Sequence, residues 1–304
     1  MKDALREAVR GFLEQHAPVG ATPSEQVWTR LCRELGLTSL SMEDFEEVAV
    51  VLQETGRVLL QAPYLPTVVA SVVLGELDAG DLLPGLHDGS TPAAVAWEDL
   101  SMVADAAAAR LLLVATVDGL TVHTDFRATE LVGMDGTRPC AAVDGSMAAG
   151  RRVGGGDAGT FMRDVGLVAL AAESVGAARR CLELTVAHLL TREQFGRPLG
   201  SFQALRHRVA DLTVELEGAE STTWWAARAV ARRAPDLAVV APLAKAAAAD
   251  AFAHIAGEMI QLHGGIGFTW EHVCHLYFKR AWATRLRDGG PLALRREAFA
   301  LAGW

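Results

Sequence analysis

The chain has 304 residues, 51% of them hydrophobic, and a formal net charge of −9. That length supports a large buried core, as one elongated domain or two to three sub-domains. The negative balance argues against a nucleic-acid partner, whose phosphates need a basic face.

Basic charge is almost wholly arginine, with lysine only at Lys2, Lys245 and Lys279, a bias that a GC-rich genome accounts for. Met1 to Glu14 is charged and amphipathic rather than an apolar leader. Lys245 and Asp250 interrupt the alanine-rich region, so no membrane-spanning segment is expected. Cys32, Cys140, Cys181 and Cys274 are scattered, without metal-ligand or framework spacing. A soluble, cytoplasmic protein is the expectation.

Residues 1–88 read as a helical domain. Leu5, Val9, Phe12 and Leu13 share a face before Pro18; Val27, Leu31 and Leu35 start a second helix, stopped at Gly36; Glu43 to Leu60 form a third. After Pro63 and Pro66 comes a short apolar stretch, Val68 to Leu77. No chemistry is assigned to these helices.

Residues 89–156 change character. Val95–Trp97 and Leu111–Val117 are strand-like, and Asp118-Gly119 before Leu120–His123 signals a hairpin. Turn residues recur at Gly133, Gly136, Pro139 and Gly145, around a strand at Cys140–Val143. This is a small antiparallel β unit. The run Gly154-Gly155-Gly156 lacks the spacing and lysine of a phosphate loop and reads as a flexible linker.

Residues 157–304 return to helix. A first helix from near Phe161 to Leu190 carries Leu167, Leu170, Ala171, Ser174, Ala178 and Cys181 on one face. The second repeats Leu205, Val209, Leu212, Leu216, Ala219, Thr223, Ala226 and Val230 at 4-3 spacing, as in bundle packing, until Pro235. A third runs from about Asp236, kinked at Pro242, to Gln261, and a fourth from His272 to about Leu286; a short one follows Gly289-Gly290-Pro291. The whole is mainly α: N-terminal helices, a reduced β domain, and a C-terminal four-helix bundle.

Two blocks at helix ends carry candidate chemistry. Arg192–Gln203 (REQFGRPLGSFQ) and Gln261–Phe268 (QLHGGIGF) combine an arginine, glutamines and a Gly-Gly corner, an inventory suited to a phosphate-bearing ligand. Thr191–Leu212 and Gln261–Ala281 resemble the two C-terminal signature regions of acyl-CoA dehydrogenases, and Met134–Pro139 resembles the last turns of that family's β domain. The resemblance covers most of residues 160–285. It implies FAD bound across a subunit interface, with Arg192 on the pyrophosphate and Phe195, Phe202 and Gln203 near the flavin nucleotide. Gln261, Gly264 and Gly265 would lie against the adenosine half, where a Cβ would hinder close approach.

Two departures qualify the resemblance. The family's Thr-Glu-Pro-x-x-Gly-Ser-Asp-like segment and tryptophan-bearing strand, which cover the flavin ring, are missing; the β unit is about half the usual length, and Trp97 and Thr91-Pro92 are poor substitutes. The family's base is a glutamate that takes the α proton of an acyl thioester while a hydride leaves the β carbon for the flavin. Counted without gaps its position falls on Asp288, before Gly289. A carboxylate one methylene shorter, misplaced by about 1 Å, can cost roughly a hundredfold in rate. The alternative base position falls near Gly166, which has no side chain; Glu173, further along, reads as an ion-pair residue. His254, His263, His272 and His275 read as packing or interface residues, since no carboxylate or cysteine at suitable spacing completes a metal site.

The resemblance therefore implies an acyl-CoA dehydrogenase subunit of the short type known in heteromeric steroid side-chain enzymes, sharing an FAD site with a homologous full-length partner. A self-sufficient homo-oligomer using Asp288, and a flavin-free scaffold or acyl-binding relative, remain open at this point. The acyl substrate and CoA contacts are not legible.

Overall fold

A computed structural model describes residues 2–77, 79–97, 99–116, 118–144 and 150–303. The N-terminal part is α1 (Lys2–His16), α2 (Glu25–Thr29), which runs on into a π-helical turn at Arg30–Glu34, α3 (Phe45–Arg57), α4 (Tyr64–Gly75) and α5 (Leu83–His87). Only one side of α1 is apolar, and it buries Val9 and Leu13. The helix α4 is buried along nearly its whole length and begins at Tyr64, before the apolar stretch expected from Val68.

The β unit comprises β1 (Ala93–Trp97), β2 (Val103–Ala104), β3 (Leu111–Thr116), β4 (Gly119–His123), β5 (Arg127–Leu131), β6 (Cys140–Asp144) and β7 (Arg151–Gly154). They form two sheets, ordered β1-β3-β4-β7 and β2-β6-β5. The expected hairpin joins β3 and β4, although Val117 in its turn lies outside the described residues, as does the turn expected at Gly145. The pairing is antiparallel with one exception: β1 runs parallel to β3. After β1 the chain leaves the first sheet, lends β2 to the second, and re-enters in the same direction, and a parallel pair needs such a crossover. Side chains alternate accordingly. Ala93, Val95, Leu111 and Leu113 join the main core, while Ala94, Ala96, Leu112 and Val114 pack with Ala141 and Val143 of the second sheet. Burial on both faces explains why these strands read as continuous apolar runs.

The glycine run is not a linker. Gly154 closes β7, Gly155 caps and Gly156 opens α6 (Gly156–Thr191). A Cβ on Gly154 would overlap that of Ala158, so the strand turns into the helix without slack. Beyond α6 come a two-stranded ribbon, β8 (Glu193–Gln194) and β9 (Arg197–Pro198), then α7 (Gln203–Ala231), α8 (Leu237–His263), α9 (Cys274–Leu286) and α10 (Pro291–Leu301). Helices α6 to α9 form the bundle, with α8 packed against α6, α7, α9 and α10. The 4-3 seam of α7 faces inward, from half-buried Leu205 and Val209 to fully buried Val230. The segment Leu237–Phe268 is long and apolar enough to cross a membrane by composition, contrary to the sequence expectation; two-thirds of its most apolar stretch is buried inside the protein as the bundle's central helix.

A single apolar face was expected on α6, but it is buried almost all round from Ala158 to Ala178, because all three parts of the molecule pack on it. Against α3 the contact is backbone on backbone: a Cβ on Gly176 would overlap the carbonyl of Gln53, and one on Gly56 the carbonyl of Glu173. One turn along, the Glu173 side chain pairs with Arg138 from the turn before β6 and with Arg280 of α9. Arg280 also donates through Nε to Asp135 Oδ2 at 2.6 Å and through Nη2 to the Thr137 carbonyl at 2.7 Å. Glu173 is therefore an ion-pair residue, as expected. Burial alone would raise its pKa, yet Arg138 and Arg280 hold it below the usual carboxylate range. Burial pushes nearby Asp105 up to about 6 against the pull of Arg138, Arg287 and Arg280.

Two outcomes follow for stability. Gly176→Ala forces α3 from α6 and lowers stability by about 1–3 kcal/mol, read as a lower thermal midpoint; an unchanged midpoint would refute the close crossing. Glu173→Leu leaves two buried guanidinium groups short of an acceptor and costs about 3–5 kcal/mol. Adding Arg138→Met recovers a good part of this in urea unfolding, and a double variant as weak as the single would show that the pair does not act as a unit.

Candidate functional site

The two signature blocks meet at one end of the bundle. Arg192 caps α6, donating its N–H to the His188 carbonyl at 2.8 Å, and its side chain is exposed. Leu199 N–H returns to the Arg192 carbonyl at 2.8 Å, closing the β8–β9 ribbon beneath it. The ribbon turns at Phe195 and Gly196, both with positive φ (53° and 76°), as a two-residue hairpin requires. Phe195 is 90% exposed and meets Phe202 edge-on at 6.2 Å; the Arg197 guanidinium lies 4.1 Å from the Phe202 ring. Phe202 precedes α7, whose first N–H groups have no side-chain cap, and Gln203, its first residue, is exposed. An exposed arginine and an uncapped helix N-terminus thus stand at one end of the bundle, groups of the kind that bind phosphate oxygens.

The second block sits alongside. Gln261 is exposed in the last turn of α8, and Gly264 breaks the helix at φ 64°. A Cβ on Gly264 or Gly265 would meet nothing within 4 Å, so the corner presents bare backbone outward. Gly267 differs: its Cβ would press on the Ile260 carbonyl at 2.6 Å, and the glycine packs the turn against α8. What holds the blocks together is a file of histidines. His188 of α6 stacks on His263 of α8 at 4.4 Å, and His263 meets His272, just before α9, at 4.6 Å. Around them Phe268 and Trp270 are 89% and 80% exposed, so this end also offers a large apolar surface.

Asp288 lies elsewhere, in the turn between α9 and α10, with φ 55°. Its carboxylate pairs with Arg287 at 3.1 Å and is largely buried, and Oδ2 accepts no hydrogen bond. The buried Lys245 ammonium donates to the carbonyls of Arg285 (3.2 Å), Arg287 (2.7 Å) and Gly289 (2.7 Å), fixing the turn. Burial lowers the Lys245 pKa to about 8, with Asp288 opposing the shift. The charge of Asp288 is felt by Arg163 in the second turn of α6. From there to Arg192 is nearly the full length of α6, on the order of 40 Å at 1.5 Å per residue. Asp288 and the Arg192 end do not share one ligand on this chain. Near Asp288, the position of the alternative base is occupied from outside: a Cβ on Gly166 would lie 2.7 Å from the ring of Trp97 on β1.

Sequence reading missed Arg280, and passed over Asp135 and Arg138 except as part of a motif. The signal for Arg280 was its place on the stripe Tyr277, Ala281 and Thr284, all buried. It also missed His188, which lies on another helix, as a neighbour of His263, and contrary to expectation a cysteine, Cys274, does stand beside His263 and His272, brought there by the turn between α8 and α9. A groove of about 520 Å³, lined by Glu215, Asp250, His254 and Trp282, lies on the outer face of α7–α9 and serves neither region.

Comparison with known proteins agrees with this architecture. Residues 164–298 match the acyl-CoA dehydrogenase C-terminal domain. The chain is 37% identical over 315 aligned positions to acyl-CoA dehydrogenase IpdE2 of Mycobacterium tuberculosis, covering 97% of this chain and 95% of that one. It is 35% identical to IpdE2 of Mycolicibacterium smegmatis, with 95% of each chain covered. Among solved structures, the Tcur3481-Tcur3483 steroid acyl-CoA dehydrogenase G363A variant superposes with a TM-score of 0.87 at 25% identity, over 99% of this chain and 98% of that chain. The ChsE4-ChsE5 complex of M. tuberculosis gives 0.87 at 24% identity, over 100% and 97%, which supports the shared fold. With more than a third of its residues identical to a relative along nearly the full length of both, and with the helix, β-unit and bundle order in place, the chain belongs to the acyl-CoA dehydrogenases, a family of FAD-dependent flavoproteins.

Proposed function

We propose that this chain is the short subunit of a heteromeric acyl-CoA dehydrogenase, catalysing α,β-dehydrogenation of an acyl thioester on an FAD shared with a homologous full-length partner. The contrast between its two half-sites carries the reading. The pyrophosphate side is open: Arg192, Gln203, Gln261, Gly264 and Gly265 are all exposed at the bundle end. The side where this fold's β domain covers a flavin ring is closed, with Trp97 on Gly166 and the Arg138–Glu173–Arg280 cluster filling the contact between β unit and bundle.

In that assembly Arg192 binds two phosphate oxygens of the dinucleotide, and the Gly264-Gly265 backbone receives its adenosine half without a Cβ in the way. Phe195 and Phe202 supply an apolar wall beside it. The bound flavin is the hydride acceptor of the reaction. The ring-side contacts and the base come from the partner, since on this chain the Asp288 carboxylate is engaged by Arg287 and stands far from Arg192. The relative described as a steroid acyl-CoA dehydrogenase supports a polycyclic acyl thioester as substrate. Four free cysteines suit a reducing cytoplasm.

A second reading rests on Asp288 itself: a largely buried carboxylate in a turn clamped by Lys245 is placed as a base could be, in a homo-oligomer that completes its own site. The visible absorption spectrum separates the two. Purified alone the chain is colourless, and co-expressed with a full-length partner it yields a yellow complex. In that complex Arg192→Ala weakens FAD binding by about tenfold to a hundredfold; a stable yellow protein from this chain alone would overturn the shared site. Asp288→Asn, which tolerates the same positive φ, leaves flavin content and turnover of the complex in place. Loss of turnover with flavin retained would move the base onto this chain.

A further inference from the structure

The side chains that hold the bundle end together include a set of metal donors that no part of the dehydrogenase reading uses. His263, His272 and Cys274 each direct one ligand atom into a space where all three lie within 4.8 Å of one another. His263 and Cys274 are buried and His272 is half-buried. They belong to the end of α8 and the start of α9, and the ring of His188 at the end of α6 stacks on His263 beside them.

The protonation pattern prepares these atoms for a cation. His263 Nδ1 is 2.7 Å from the Met259 carbonyl, which only accepts, so Nδ1 carries the proton and Nε2 keeps its lone pair. A metal-bound histidine is oriented in this way by its outer hydrogen bond. His272 Nδ1 faces Cys274 Sγ at 3.0 Å and accepts the Cys274 N–H at 3.3 Å, so it too is unprotonated. Among the described residues no carboxylate joins this group of donors. Two imidazoles and one thiol are a borderline-soft set, matched to Zn²⁺ rather than to Mg²⁺ or Ca²⁺.

We infer that His263, His272 and Cys274 form a zinc site that ties the C-terminal end of α8 to the start of α9, with a water as the fourth ligand. Zn²⁺ takes the place of the thiol proton between Sγ and His272 Nδ1, and that proton leaves to solvent. Zn–N and Zn–S bonds of about 2.0–2.3 Å put tetrahedral ligand atoms roughly 3.3–3.6 Å apart. The three donors, all within 4.8 Å of one another, reach that spacing by side-chain rotation of about 1 Å. Such a site fixes the Gly264-Gly265 corner against the start of α9.

The test uses the chain, or its complex where the chain requires one, stripped with a chelator and titrated with Co²⁺ in place of Zn²⁺. One equivalent per chain is expected, with ligand-field bands of tetrahedral intensity and a thiolate-to-cobalt charge-transfer band that added Zn²⁺ abolishes. Cys274→Ser, nearly isosteric, loses the charge-transfer band while circular dichroism stays unchanged, and His272→Gln lowers the Co²⁺ stoichiometry at the same protein concentration. Should either variant misfold, elemental analysis of the wild-type protein decides: about one zinc per chain after exhaustive dialysis supports the site. Failure to bind Co²⁺, or a charge-transfer band that survives in Cys274→Ser, would overturn it and leave the thiol as a simple hydrogen-bond donor to His272.

Discussion

The structure depends on the place where Glu173 enters the core. Its backbone carbonyl is the surface on which Gly56 of α3 rests, and its carboxylate is the acceptor for Arg138 of the β unit and Arg280 of α9. One residue of α6 therefore touches the N-terminal helices through its main chain and the other two parts through its side chain. The cluster sets Asp105, Asp135 and Glu173 among Arg138, Arg280 and Arg287, the last of which also pairs with Asp288. Burying so many charges is expensive, and it succeeds only when each member keeps its counter-charge. Such a cluster specifies one docking of β unit on bundle, because any slip would strand a charge in the core.

That specification has a functional consequence. The contact between β unit and bundle is filled with charged and aromatic side chains, Trp97 on Gly166 and Arg138, Glu173 and Arg280 beside it. What is closed on one side is compensated by openness at the far end of α6, where Arg192, the β8–β9 ribbon and the Gly-Gly corner stand in solvent beside Phe195, Phe268 and Trp270. Exposed aromatic rings of this size beside an exposed arginine form a surface of the kind that meets another subunit.

The histidine file at this end shows how packing and chemistry coincide. Burial disfavours the charged forms of His188, His263 and His272, whose rings meet in a row at 4.4 and 4.6 Å. The turn carrying Asp288 is held by a different device, a buried ammonium that satisfies three carbonyls at the end of α9. Each end of the bundle is thus fixed by groups that satisfy each other locally.

Much of this was legible in the chain itself. The 4-3 seam of α7, the hairpin at Asp118-Gly119, the helix stop at Gly264 and the ion-pair role of Glu173 follow from local periodicity and backbone preference, which neighbouring residues largely determine. The two signature blocks were legible for the same reason, since each is contiguous. What the chain alone did not disclose depends on residues distant in sequence. The parallel pairing of β1 with β3 arises from a crossover, and the glycine run became a strand end and a helix start because Gly154 abuts Ala158. The membrane-length apolarity of α8 reflects its central place in the bundle. The meeting of His188, His263, His272 and Cys274, and the closing of the β-unit contact by Trp97, Arg138 and Arg280, are decided by how the helices pack. A one-dimensional pattern records which face of a helix is apolar, and only the tertiary structure decides which residues stand opposite it.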